Sequence, residues 1–280
     1  MIVSEIMTNN PIRAEVPGTR TDVLKLLVKE NITGVPVVKH GERTLVGFVT
    51  RQDLFSRPEE EQLAMLMKRD YPSIGPEADV KAAARQLIEM GAAHLPVVED
   101  GKLVGIVTPS DLLIVVEKNN DMTPVISIER SPCVPIFEGS PLSVALVAFK
   151  VANVNALPVL DENARLTGII TDRDIFNQSV VDASVVMSDL GLTNNAEDIS
   201  WGGLSNVMKL WYEVSKIELP NISVREVMVR NPMTAFSKTP ASEAARIMRK
   251  NDFGQLPLRG PNDNLIGMIY DRDIITTILR

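Results

Sequence analysis

Asp53, Asp111, Asp174 and Asp273 each stand three residues after a hydroxyl side chain: Thr50, Thr108, Thr171 and Tyr270. An apolar-Gly-apolar-apolar stretch leads into every one, as in LVGFVTRQD, LVGIVTPSD, LTGIITDRD and LIGMIYDRD. A threonine at a strand-to-helix junction lies where the first helical amides lack backbone partners. Hydroxyl and amides together suit an anion such as a phosphate. An aspartate in the first helical turn is near the same mouth, and its oxygens can accept two hydrogen bonds from a ribose diol. A glycine in the strand lets a flat ring approach the backbone. An adenosine carrying a phosphate presents its groups in that order. The same spacing also makes a variant capping box, with Thr capping the helix and Asp returning to its amide. For one copy alone the two readings stand level.

The four copies carry different charges. Copy 1 sets Arg51 beside Thr50 and Asp53, and copy 3 sets Arg173 beside Thr171 and Asp174. Copy 2 has Pro109-Ser110 between Thr108 and Asp111 and so lacks a local cation. Copy 4 keeps Arg272 and Asp273 but has Tyr270 for the threonine. A phenol caps a helix poorly, so the copy 4 site is expected to be empty or differently used.

One repeated unit must position these groups. The aspartates are 58, 63 and 99 residues apart, and Pro36, Pro96, Pro158 and Pro257 keep step at 60, 62 and 99. Such regular self-similarity marks a repeat architecture. In copy 2 a short extended stretch, Tyr71–Ile74, precedes a helix over Asp79–Gly91, with Gly91 as the stop. LPVVED, the Asp100-Gly101 turn and KLVGIVT then read as a hairpin, and a second helix starts near Thr108. Copies 3 and 4 announce their first helices with Ser140-Pro141 and Thr239-Pro240, serine or threonine capping and proline at the first helical position. In copy 1, Thr21 or Asp22 starts the helix. The fold class is therefore α+β, built from β-α-β-β-α units. A unit of about 55 residues buries too little surface to stand alone. Pairing of 1 with 2 and 3 with 4 is expected, in modules near 1–118 and 119–280. The boundaries read as 1–58, 59–118, 119–178 and 224–280, with an insertion over 179–223. That insertion holds both tryptophans, and Trp201–Leu219 reads from Leu204 as an amphipathic helix. It is either a helical cover or an interface for a partner.

Composition narrows the function. A net charge of −7 argues against a general nucleic-acid binder. The single cysteine, Cys133, forms no internal disulfide and reads as a small core residue in a reducing compartment. No signal peptide and no membrane-length apolar run is visible, so a cytoplasmic location is expected. His40 and His94 fit no metal-ligand spacing, and no Cys-His or Ser-His pair has motif context, so neither metal nor catalysis is expected.

The h-P-V-h phrase (h apolar) followed by G-h-h-T-x-x-D, repeated in tandem, resembles the CBS domain family, whose paired repeats form Bateman modules. The resemblance covers nearly the whole chain outside the insertion. In layout the chain is similar to stand-alone prokaryotic and archaeal-type CBS proteins and to the gamma subunit of AMP-activated kinase. The resemblance implies a regulatory metabolite or energy sensor, not an enzyme, binding AMP, ADP, ATP or S-adenosylmethionine between paired repeats. It implies ribose contacts from Asp53, Asp111, Asp174 and Asp273. Phosphate, or its equivalent, would fall to Thr50, Arg51, Thr108, Thr171, Arg173 and Arg272. The residue two before each proline often carries a basic side chain in nucleotide-binding relatives, which places His94 in the phosphate set; a histidine hydrogen-bonded within the module is the competing reading. Ile12, Gly34, Pro36, Val134, Ala156 and Pro158 are the implied adenine walls, with ordinary core as the alternative for Ile12 and Val134. A regulated protein partner and a homodimer are the implied associations. A structural adaptor that grips a partner through Trp201–Leu219 is the alternative function.

Overall fold

The computed structural model describes residues 1–57, 60–175 and 221–280. The Trp201–Leu219 helix and most of the 179–223 insertion lie outside the described residues.

Copies 1, 2 and 3 centre on antiparallel hairpins, Gly34–Lys39 with Leu45–Thr50, Leu95–Glu99 with Lys102–Val107 and Ala156–Leu160 with Leu166–Thr171, and in copy 4 Gln255–Arg259 neighbours Leu265–Tyr270 in one sheet. Local chemistry explains the turns. Asp100 and Gly101 take φ of 49° and 76°, as a tight hairpin requires. The register shifts at Val37/Val38, Val97/Val98 and Val159/Leu160, the same place in three copies. Each bulge follows the residue paired with the strand glycine, Gly47, Gly105 or Gly168, and bends the strand there. Short parallel strands, Ala14–Val16 and Ile136–Phe137, flank the hairpins of copies 1 and 3. In copy 2 the expected extended stretch reduces to one bridge, Ile74 to Val97.

The first helices are Arg20–Lys29, Val80–Glu89, Leu142–Ala152 and Ala241–Asn251. In copy 1 the cap is Thr19, earlier than Thr21 or Asp22; Asp22 serves instead as the third helical residue, accepting the Thr19 hydroxyl at 2.6 Å. The N-caps are Pro141 and Pro240, one residue later than the expected Ser140 and Thr239, because both prolines hold extended ψ of 146° and 148°. Gly91, at φ 58°, follows the end of the copy 2 helix, as its freedom to adopt a left-handed conformation predicts. Copy 1 buries Leu27, Leu54 and Leu63 in its core; copy 3 buries Leu142, Leu157, Ile170 and Met228. Cys133 is half-buried rather than core.

The segment ahead of each copy serves another copy. Thr8–Asn9, ahead of copy 1, pairs antiparallel with the copy 2 strand at Ile106 and Gly105. Lys68, ahead of copy 2, bridges to Phe48 of copy 1. Val229–Arg230, ahead of copy 4, pairs with Ile169 and Gly168 of copy 3. The Val125 and Ile126 amides, ahead of copy 3, donate to Thr239 and Ser237 carbonyls of copy 4 at 2.9 and 3.1 Å. This reciprocal exchange links copy 1 with copy 2 and copy 3 with copy 4.

The described chain divides into two compact units. One comprises Met1–Ser131, Ala235–Leu258 and Met268–Arg280, and the other Pro132–Thr234 with Arg259–Gly267. In the first, the Ala241–Asn251 helix of copy 4 packs on the Pro109–Lys118 helix of copy 2, and Arg249 pairs with Glu117 at 2.7 Å. The compact units therefore do not follow the 1–118 and 119–280 division. Among the described residues no helix is long and apolar enough to cross a membrane.

Candidate functional site

At each strand-to-helix mouth the aspartate closes the helix with one oxygen. Asp53 Oδ2 accepts the Thr50 hydroxyl at 2.6 Å and the Thr50 amide at 2.9 Å. Asp111 Oδ2 accepts the corresponding Thr108 groups at 2.8 and 2.7 Å, and Asp174 Oδ2 those of Thr171 at 2.6 and 2.8 Å. In copy 4 Asp273 Oδ2 accepts the Tyr270 amide at 2.9 Å. Capping and ligand binding therefore do not exclude one another: Oδ2 caps, and Oδ1 is the oxygen that can face a ligand.

Oδ1 separates the copies. In copy 1 it pairs with Lys68 at 3.0 Å, a cation brought by the exchanged segment. In copy 3 Asp174 Oδ1 has no hydrogen bond or ion pair among the described residues. In copy 4 Asp273 Oδ1 accepts the Ser131 amide at 3.1 Å and hydroxyl at 2.7 Å. Burial pushes the Asp111 and Asp273 carboxyls above the usual range. Asp111 lines a cavity of about 280 Å³ with Ser110, Ile114, Met248 and Phe253; the cation there, Arg249, is held by Glu117.

The arginines diverge as well. Arg51 is 4% exposed, and its Nη2 donates to the Ile32 carbonyl at 3.3 Å, so its guanidinium is buried rather than presented at the mouth. Arg272 Nε donates to Ser131 Oγ at 3.0 Å. Arg173 is half-buried and forms no ion pair among the described residues.

His94 departs from the phosphate-binding expectation. It is buried, shares a 2.9 Å hydrogen bond with Thr33 through Nε2, and packs near Phe48 with ring centroids 5.1 Å apart. Burial pushes its pKa down to about 4, so the ring is neutral at pH 7 and offers no charge to a phosphate. Among the implied adenine walls, Gly34, Pro36, Ala156 and Pro158 are buried in the hairpins, Val134 packs on the copy 3 core, and Ile12 is exposed. The Phe48 ring closes over Gly34, 2.7 Å from where a Cβ would stand.

The strand glycines also serve differently from the expectation of a ring against backbone. Met67 covers Gly47, Met7 covers Gly105 and Met228 covers Gly168, each methionine coming from the exchanged segment. A flexible thioether fills the notch that a missing Cβ leaves. The sequence signal is the recurring methionine near the end of each of these segments, at Met7, Met67 and Met228. Ser131, Tyr71 and Lys68 were missed too. Ser131 and Tyr71 share one signal, the residue before a proline in Asn10-Pro11, Tyr71-Pro72, Ser131-Pro132 and Asn231-Pro232.

The CBS domain family matches residues 3–60, 62–118, 125–180 and 224–280. This chain belongs to the CBS domain family. Its repeats are paired as Bateman modules in a mixed α and β fold. The uncharacterized protein MJ1225 of Methanocaldococcus jannaschii is 28% identical over 62% of this chain and 68% of its own length. Its crystal structure, presented as a candidate archaeal homologue of g-AMPK, superposes with a TM-score of 0.77 at 20% identity, covering 99% of this CBS protein and 100% of that chain. An uncharacterized conserved protein from Pyrococcus horikoshii gives a TM-score of 0.67 at 26% identity, over 99% of this chain and 100% of its own.

Proposed function

We propose that this CBS protein is a regulatory sensor of an adenosine-containing metabolite and that copy 3 carries its most competent site. The observation behind this reading is the state of the three groups at that mouth. Among the described residues, Thr171 and Asp174 Oδ2 finish the helix cap, Asp174 Oδ1 has no hydrogen bond or ion pair, and Arg173 has no ion pair. An open carboxylate oxygen accepts a ribose hydroxyl, and an uncommitted guanidinium meets a phosphate. Copy 1 is second, with Lys68 in place of the buried Arg51 as its accessible cation. Copy 2, with a buried carboxylate and no uncommitted cation in its cavity, suits a ligand whose 5′ group is not anionic, as in S-adenosylmethionine. Ligand occupancy, not turnover, is the output on this reading, and it is conveyed to a protein partner.

Calorimetry with AMP, ATP and S-adenosylmethionine tests the reading. Asp174→Ala should weaken AMP binding by roughly tenfold to a hundredfold, the range for hydrogen bonds to a charged group. Unchanged affinity with the fold intact would leave Asp174 as a helix cap only. A chain that gains no thermal stability from any of the three compounds is an adaptor instead.

A further inference from the structure

We infer that Ser131 closes the copy 4 site to ligand by occupying the diol position of Asp273. The inference rests on reading the aspartates as diol acceptors. In copy 4 both carboxylate oxygens are engaged: Oδ2 by the Tyr270 amide at 2.9 Å, Oδ1 by the Ser131 amide at 3.1 Å and hydroxyl at 2.7 Å. Two donors converging on Oδ1 reproduce the hydrogen bonding that two ribose hydroxyls would supply. The same serine accepts Arg272 Nε at 3.0 Å, and the Arg272 guanidinium lies 5.3 Å from the Tyr270 ring centroid. One residue thus engages both the carboxylate and the Nε of the cation that a nucleotide would need. Asp273 is 6% exposed.

Among the described residues the arrangement is found in copy 4 alone. The residues at the same place in the other exchanged segments do otherwise. Asn10 accepts Arg43 Nη2 at 2.9 Å, the Tyr71 hydroxyl donates to the His94 carbonyl at 3.2 Å, and the Asn231 amide donates to the Thr167 carbonyl at 3.1 Å. None of these hydrogen bonds reaches an aspartate of the repeated motif. Ser131 is short enough to bring its amide and hydroxyl to one oxygen together, which the longer Asn and Tyr side chains do not. A ligand enters copy 4 only by displacing donors already covalently in place, against their high effective concentration.

The test counts AMP sites by calorimetry on the full chain, for wild type, Ser131→Ala, and Ser131→Ala with Asp273→Ala. Ser131→Gly, which also keeps the amide, runs in parallel and should match Ser131→Ala. The expected result is one additional AMP site in Ser131→Ala, which binds 2′-deoxy-AMP, lacking half the diol, roughly tenfold or more weakly, and which is lost in the double variant. A wild-type chain that binds no AMP while Ser131→Ala gains a site would remove the copy 3 reading and leave this inference standing. Equal stoichiometry in Ser131→Ala and wild type would overturn it, whatever the wild-type number. So would a wild-type co-crystal with AMP at Asp273 and Ser131 displaced.

Discussion

Acid should destabilise this protein through His94. Its ring nitrogen Nε2 is satisfied by Thr33 at 2.9 Å, whereas Nδ1 is buried with no hydrogen-bond partner among the described residues. Protonation would put a second N–H donor and a full charge where neither has a partner, which is why burial holds the pKa at about 4. The unfolded chain takes up that proton near the ordinary value of about 6.5. Between these values the unfolded state binds more protons, so stability is present above pH 6.5 and is lost as the pH falls towards 4. From pH 7 to 4.5 the loss works out at about 2 kcal/mol. The assay is denaturant unfolding at both pH values, for wild type and for His94→Gln, which can still bond Thr33 but does not titrate. The variant should lose about 2 kcal/mol less than wild type across that interval. Carboxylates titrate in both chains and cancel in the comparison. Identical pH dependence in the two chains, or an NMR midpoint for His94 at 6 or above, would refute the reasoning.

The opposite sign is expected at Asp271, whose carboxyl burial pushes up to about 6, opposed by hydrogen bonds from the Arg272 amide and the Ser110 hydroxyl. Its folded state binds the proton more readily, so stability present at low pH is lost as the pH rises through 6. Asp271→Asn should therefore be more stable than wild type by about 1–2 kcal/mol at pH 7.5 and near equal at pH 4, read by denaturant unfolding. Arg173→Ala should weaken AMP and ATP binding by roughly tenfold while leaving adenosine within about twofold, read by calorimetry; equal losses would mean that Arg173 does not meet the phosphate. Gly168→Ala drives a methyl into the Met228 side chain and should cost about 1–3 kcal/mol. Met228→Ala in the same chain should return part of that loss in a double-mutant cycle; additive losses would show that the two residues are uncoupled.

The features legible in the sequence are those whose causes are local. Asp100-Gly101 names its own turn, Gly91 its own helix stop, and Thr-x-x-Asp its own cap, because each depends on backbone preferences within a few residues. The four mouths could be placed for the same reason. Their differences in chemistry could not. Whether Oδ1 is open depends on Lys68 in copy 1 and on Ser131 in copy 4, and Ser131 is 142 residues from Asp273. Arg51 and Arg173 both lie between the hydroxyl and the aspartate of their motifs, one and two residues after the threonine, yet Arg51 folds back to the Ile32 carbonyl. His94 reads in sequence either as a base for phosphate or as a histidine hydrogen-bonded within the module, and in place it is buried against Phe48 and bonded to Thr33. The strand glycines promise room for a flat ring, and the group that fills the room is a methionine from an exchanged segment.

The exchanged segments constrain how such a chain can grow or shrink. A repeat that wears its neighbour's leading segment cannot be gained or deleted singly. Removing copy 4 together with its leader would strip Met228 from Gly168 and leave Val125 and Ile126 without the carbonyls they bond. Adding a fifth copy would leave one glycine notch bare. The heritable unit is therefore the couple, and chains of this construction should come in even numbers. The joint between copies 3 and 4 is nonetheless permissive, because Val224–Arg230 needs only to return to its seat. Lengthening that joint costs closure entropy that grows slowly, about 0.6 kcal/mol per doubling, which is why extra sequence could accumulate there without disturbing the beat of the repeats.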